Sequence, residues 1–405
     1  MPLLCRPLGA RPTTSQRLEG SLAAAALAGA FALVTIAGPA AIARGQAATQ
    51  TPASQDPGRK NTDRLAEPWP DDAGLRKRRL AAENLPLFKT SQPLTFTLAA
   101  DFKAVNRDRE VDSAKRFPGV LTVAGETGQP LAIPVQLGTR GNLRLDRRTC
   151  TFAPLRVEFP KNGVEGTVFE RQGSLKLVTH CQNSKDADQL VLGEALAYRI
   201  ANLLTPASFR VRLARATYVQ AATGKKLTTR WAIFIEDQDD VARRMQGRIA
   251  PLTKKLFRDL DQPSLLRLAV FQTLIGNTDY SIHALHNVRL VQDREGILRP
   301  VGYDFDVSGL VNPPYGAPDR RMNLSSLRER RYRGPCLGLE TLEPALAELR
   351  AKRAEILALY DAERGLGATE RQTAKDYLAE FFDIISSARR SKTLFVERCR
   401  PASGM

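Results

Sequence analysis

GNTDYSIHALHNVRLVQDREGILRPVGYDFDVSG, residues 276–309, gathers acids, amides and a hairpin pattern in one short stretch. Two runs rich in β-formers, 288–291 and 297–303, flank the turn-forming Asp293, Arg294, Glu295 and Gly296, which predicts an antiparallel hairpin. Closing that hairpin brings its ends together. Asn287 at the entry then lies roughly opposite Asp304 at the exit, on strands about 4.8 Å apart, so an amide oxygen and a carboxylate can face one hard cation. Asp306 shares the face of Asp304 by period-two alternation and is a second metal-ligand candidate, with a structural hydrogen bond as its other use. Asp279 sits in the loop before the hairpin, where a separate carboxylate can orient or deprotonate an attacking hydroxyl. Any one of these residues is an ordinary turn former; their order around a hairpin is what points to a site.

The order of an acidic loop residue, an Asn, a hairpin and then YDFD resembles the atypical branches of the protein-kinase-like superfamily, above all the spore coat protein H (CotH) kinases and, more distantly, the HipA-type kinases. Asp279 and Asn287 are eight residues apart, closer to the looser CotH arrangement than to the spacing of five usual in HipA-like and lipid kinases. Upstream, VQLGTRGNLRL, residues 135–145, is similar to the RGN strand motif of CotH proteins. The resemblance covers roughly residues 95–309. It implies an α+β, bilobal protein-kinase-like fold with a mainly antiparallel-sheet N-lobe and a helical C-lobe. It further implies ATP or another nucleotide with Mg²⁺ or Mn²⁺ as cofactors, and an unknown protein or other hydroxyl as acceptor. Asp279 takes the catalytic place and Asn287, Asp304 and Asp306 the metal places.

Between the two motifs the residues follow the layout of such an N-lobe. FERQGSLKLVTHC, 169–181, reads as a strand with Lys176 among Leu175, Leu177 and Val178, similar to the lysine that grips nucleotide phosphates, although a strand lysine is as often a surface residue. In the helix predicted over 192–204, Glu194 is its candidate partner; an acid in a first helical turn is favoured by the dipole in any case. Two more strands, 209–219 and 229–235, turn at Gly224, and the second ends in Glu236 and Asp237, where the hinge of a kinase-like fold would bind nucleotide. A helix over 262–276, with Ser264 as cap and Gly276 as stop, leads into the Asp279 loop. The Pro- and Arg-rich 311–336 predicts an irregular exposed segment, and apolar stripes through Leu342, Leu346, Leu349, Ile356 and Leu359, then Tyr377, Phe381, Ile384 and Ile385, predict C-terminal helices.

The N-terminus has the pattern of an export signal. Arg6, Arg11 and Arg17 precede a small and apolar run from Leu22 to Ala43, with small-residue sites before Ala48. Organisation is therefore expected as a signal at 1–47, a disordered linker at 48–90, an N-lobe at 91–237 and a C-lobe at 238–405. An N-terminal membrane anchor is the alternative. Without Cys5, four cysteines remain, an even number that suits two disulfides in an oxidising compartment, with Cys150–Cys181 and Cys336–Cys399 favoured by chain order. The net charge of +17 is spread along the whole chain with few Trp and Tyr, which argues against a nucleic-acid module and for anionic envelope surfaces, acidic substrates or nucleotide phosphates. Two other function classes fit the same residues: a binding-only pseudokinase scaffold, and a metal-dependent hydrolase using His283 and His286, for which no HExxH or HxHxD signature is present.

Overall fold

Alternating apolar residues fold the first half of the chain into seven strands: β1 (Leu94–Ala100), β2 (Phe117–Ala124), β3 (Pro130–Thr139), β4 (Leu155–Glu158), β5 (Ser174–Val178), β6 (Val211–Gln220) and β7 (Lys225–Ile235). The computed structural model describes residues 67–401 apart from 126, 185 and 252, so the expected signal and residues 48–66 of the expected linker lie outside the described residues.

These strands correct the bilobal expectation. They close into a mixed barrel in the order β1-β2-β3-β4-β5-β7-β6, in place of the mainly antiparallel-sheet N-lobe expected. Closure comes from β1, which pairs antiparallel with β2 and parallel with β6, Leu94 opposite Ala214 through Ala100 opposite Gln220. Closing the sheet removes both edges and lets one set of side chains fill the interior. Phe96, Leu98, Leu121, Val135, Leu137, Leu155, Leu175, Leu177, Tyr218 and Phe234 make that core, with Phe102 and Phe169 filling it further.

A second core lies outside the barrel wall. Leu213, Ile233, Ile235 and Val178 point outward and are nevertheless buried, because helix α3 (Ala187–Leu204) lies against them. Five further helices extend this core or its flank: α4 (Gln238–Arg244), α5 (Gln262–Leu274), α6 (Leu339–Ala351), α7 (Arg353–Ala362) and α8 (Ala368–Ile385). The apolar stripes expected at the C-terminus lie on α6, α7 and α8, with Leu359 and Ile384 only partly covered.

The hairpin is present as β9 (Val288–Gln292) and β10 (Leu298–Gly302), in antiparallel register with Val288 opposite Gly302, and a two-residue strand β8 (Arg248–Ile249) adds to its β9 edge. Helix α5 is capped by Asp261, which accepts from the Ser264 amide at 3.1 Å, so the cap lies three residues before the Ser264 position expected. Gly276 ends the turn that follows with a φ of +64°, and a Cβ there would meet the Tyr377 hydroxyl at 2.0 Å.

Part of the segment expected as a disordered linker, 48–90, is ordered. Asp72–Glu83 forms helix α1, N-capped by Asp71, and packs on α4 through buried Leu75 and Ala82. Arg210 closes its C-terminal end by donating to Ala82 O at 2.8 Å and Glu83 O at 3.0 Å. A short helix α2 (Phe102–Arg107) packs against β3 and β6, with Phe102 and Val105 in the barrel core.

Both expected disulfides are present. Cys150–Cys181 ties the loop before β4 to the segment after β5, and Cys336–Cys399 ties the irregular Arg-rich segment to the C-terminus. Two bridges mark a protein of an oxidising, extracytoplasmic setting. Among the described residues no helix is long and apolar enough to cross a membrane.

Candidate functional site

The Asp279 loop is held from three sides. Asn277, buried, donates to Gln272 Oε1 at 2.9 Å and accepts from the Asp279 amide at 2.8 Å, so the helix α5 end sets the start of the loop. Asn287 donates to Asp279 O at 2.8 Å and to Asp279 Oδ2 at 3.1 Å, and His286 Nε2 is hydrogen-bonded to Asp279 Oδ1 at 3.0 Å. From the third side the buried Arg333 donates to Thr278 O and, at 2.7 Å, to Tyr280 O. The carboxylate of Asp279 raises the pKa of His286 by accepting its hydrogen bond.

Asn287 and Asp304 meet where the hairpin closes. The Tyr303 amide donates to Asn287 O at 3.0 Å, which makes Asp304 the first residue past the ladder. Both residues hold left-handed backbone, φ of 53° and 63°, a conformation that Asn and Asp tolerate better than other side chains and that collects at functional sites. Tyr198 of α3 fixes the second by accepting from the Asp304 amide at 2.9 Å. The Asn287 amide oxygen accepts no hydrogen bond among the described residues.

Three acids are brought together here. Burial pushes Asp306 up to about 7, helped by the neighbouring Asp304 charge, and burial with both aspartates pushes Glu194 well above the ordinary carboxylate range. Asp306 accepts from the Tyr315 hydroxyl at 3.2 Å and stands 4.0 Å from the Arg144 guanidinium. Among the described residues no group of three or more His, Cys, Asp or Glu is placed to hold a metal ion.

Cations gather around Tyr303, next to Asp304. Lys176, on the outer face of β5, places its ammonium 4.5 Å from the centre of the Tyr303 ring, and the Arg289 guanidinium lies 4.7 Å from the same centre. Burial of that ammonium, with Arg140, Arg289 and Arg156 around it, brings Lys176 down to about 7 against the pull of Asp304. Among the described residues none of Lys176, Arg140, Arg156 and Arg289 forms an ion pair with a carboxylate. Asp279, Asn287, Asp304, Asp306, Tyr198, Arg140 and Arg144 line one cleft of about 290 Å³, floored in part by apolar Val178, Ile235 and Pro154. A second cavity of about 750 Å³ shares Asp279, His286, Leu143 and Val307 with it.

The expected partners of Lys176 are placed otherwise. No ion pair joins Lys176 to Glu194 among the described residues; Glu194 turns to Asp304, Asp306 and the arginines. Glu236 is fully buried under the barrel edge, its carboxylate taken by Arg210 and Arg244 at 2.7–3.0 Å. The expected His283 and His286 pair lines the larger cavity, with His286 committed to Asp279. Sequence reasoning passes over Arg140, Arg144, Arg156, Arg289, Tyr198 and Tyr315. Arg140 and Arg144 lie inside the RGN motif, and Tyr198 follows Glu194 by four residues on one helix face, a readable signal. Tyr315 lies in a Pro-rich stretch with no periodicity to betray it. No protein-family model matches this chain, and no curated protein matches it.

Proposed function

We propose that the chain is an exported phosphotransferase that moves the terminal phosphoryl group of ATP or another nucleotide to a protein or other hydroxyl acceptor, with Mg²⁺ or Mn²⁺. The observation that carries this reading is one cleft lined by Asp279, Asn287, Asp304 and Asp306 together with Arg140 and Arg144, with Lys176 and Arg289 packed on the ring of its wall residue Tyr303. A nucleotide with its metal is a ligand that satisfies acids and cations at once. Arg140 at the cleft wall, with Lys176 and Arg289 behind Tyr303, would meet phosphate oxygens, and an anion there would favour the charged form of Lys176. Asn287, Asp304 and Asp306 are the hard oxygen donors that would hold the cation. Such a cation would neutralise charge on the phosphates. Asp279, on the boundary between the smaller cleft and the larger cavity, orients and deprotonates the acceptor hydroxyl. The similarity of residues 135–145 and 276–309 to CotH-like kinase motifs supports the same chemistry.

One observation favours a binding-only scaffold: both Asp279 oxygens are already engaged, by His286 and Asn287. Calorimetry with Mn²⁺ and ATP, beside incubation with labelled ATP, separates the two. Transfer that disappears in Asp279→Ala while nucleotide still binds fits the enzyme. Binding without transfer fits the scaffold, and no nucleotide binding refutes both.

A further inference from the structure

We propose that Arg333 is a positioning residue for the Asp279 loop, and that the Cys336–Cys399 bridge is the redox-sensitive lock that keeps it in place. Arg333 sits in an arm, residues 323–338, without helix or strand, so no ladder of its own fixes it. Yet its guanidinium is buried and donates to Thr278 O and Tyr280 O, the carbonyls on either side of Asp279. The arm is anchored through Arg330 to the Leu274 and Tyr377 carbonyls and, on either side of Tyr332, to the C-terminus. Arg331 Nη1 donates to Arg398 O at 3.2 Å, the Arg400 amide donates to Tyr332 O at 3.0 Å, and the bridge from Cys336 to Cys399 fastens the same two segments covalently. Pro401, just beyond, lines the cavity that Asp279 and Arg333 also line.

The two bridges differ in access. Cys150 and Cys181 are both buried, whereas Cys336 is exposed and only Cys399 is covered. A dithiol reductant therefore reaches Cys336 first. Its thiolate attacks the Cys336 sulfur, the S–S bond breaks, and Cys399 leaves as a thiolate that takes a proton. The second thiol of the reductant then resolves the mixed disulfide, releasing reduced Cys336 and a cyclic disulfide of the reductant. With the bridge open, the arm keeps its Arg330, Arg331 and Tyr332 contacts but loses the covalent tie three residues from Arg333, and the Arg333 donors lose their fixed place over the loop.

The mechanism of this lock stands apart from the phosphotransfer reading, and only its activity arm rests on that reading. The test uses the full chain, titrated with dithiothreitol under native conditions and followed by peptide mapping and hydrogen exchange. Cys336–Cys399 should open before Cys150–Cys181, and exchange across residues 277–287 should then quicken by roughly tenfold or more while the barrel strands stay protected. Arg333→Met, which keeps the buried stem and removes the donors, should give the same exchange change with the bridge intact, and Arg333→Lys should recover part of the protection. An unchanged loop after selective opening refutes the lock; an unchanged loop in Arg333→Met refutes the positioning role. In transfer assays both perturbations should lower kcat, on the order of a hundredfold, with little change in nucleotide KM. Unaltered kcat with a loosened loop also overturns the positioning role. A wild-type chain with no transfer at all refutes the phosphotransferase and leaves exchange to decide the arm.

Discussion

Glu236 separates a structural from a nucleotide-binding role more sharply than any other residue in the barrel. Its side chain is completely buried, and its two oxygens accept five hydrogen bonds. Oε1 takes Arg210 Nε, Arg210 Nη2 and Arg244 Nε; Oε2 takes Arg244 Nη2 and the Arg210 amide. Removing one member of a buried ion pair leaves the other charges uncompensated and costs about 3–5 kcal/mol. Both arginines keep carbonyl partners, Arg210 on Ala82 and Glu83 and Arg244 on Pro206 and Ser208, so neither becomes an orphan. That places Glu236→Gln at the low end, about 3 kcal/mol, even though its amide nitrogen turns a donor toward donors. Glu236→Ala, which also leaves a void, belongs at the high end, about 5 kcal/mol. Urea denaturation reads this as a lower midpoint with unchanged slope. Loss of nucleotide binding with a midpoint within about 0.5 kcal/mol of wild type would refute the reasoning and return Glu236 to a binding role.

Other outcomes follow from the same geometry. Asp304→Ala should abolish metal-dependent nucleotide binding, with a smaller loss in Asn287→Ala, and unchanged calorimetric titrations in both would remove them from the site. Asp306 binds its proton more tightly folded, at about 7, than its ordinary value of 3.8, so its contribution to stability is present below about 3.8 and lost as pH rises through 7. Asp306→Asn should therefore gain stability relative to wild type between pH 4 and 8, and parallel denaturation midpoints across that range would contradict the buried-acid assignment. Replacing Cys150 and Cys181 by Ser opens a loop of 31 residues and should cost about 3.7 kcal/mol in the chain-entropy model, read as a lower thermal midpoint against the bridged protein. Gly276→Ala should cost about 2–4 kcal/mol, because a positive φ and the Tyr377 hydroxyl both oppose a Cβ; an unchanged midpoint would mean that Tyr377 yields freely.

Local chemistry is legible in the amino-acid order. The hairpin around Asp293–Gly296, the strand carrying Lys176, the helix into Gly276 and the helical stripes of the C-terminus each follow from a short-range period or a turn former, whose information lies within about a dozen residues. The cysteine pairing follows from order and parity. Closure of the barrel does not, because alternation marks a strand as two-faced without saying which strand covers its far edge; the parallel β1–β6 pairing joins residues about 120 apart. Burial on both faces of β7 is equally silent, since Ile233 and Ile235 look like core until α3 shows which core they serve. The charges behave in the same way. Glu236 looks like a hinge residue because its neighbours in sequence are strand and helix, whereas Arg210 and Arg244, which decide its role, come to it only in three dimensions. Sequence determines which residues can do chemistry and where the chain turns; the tertiary structure decides which acids crowd one another, which cations stay unpaired and which arginine holds the Asp279 loop. The physical reason is that electrostatics and burial depend on distance through space, and the hydrophobic period along the chain carries no record of it.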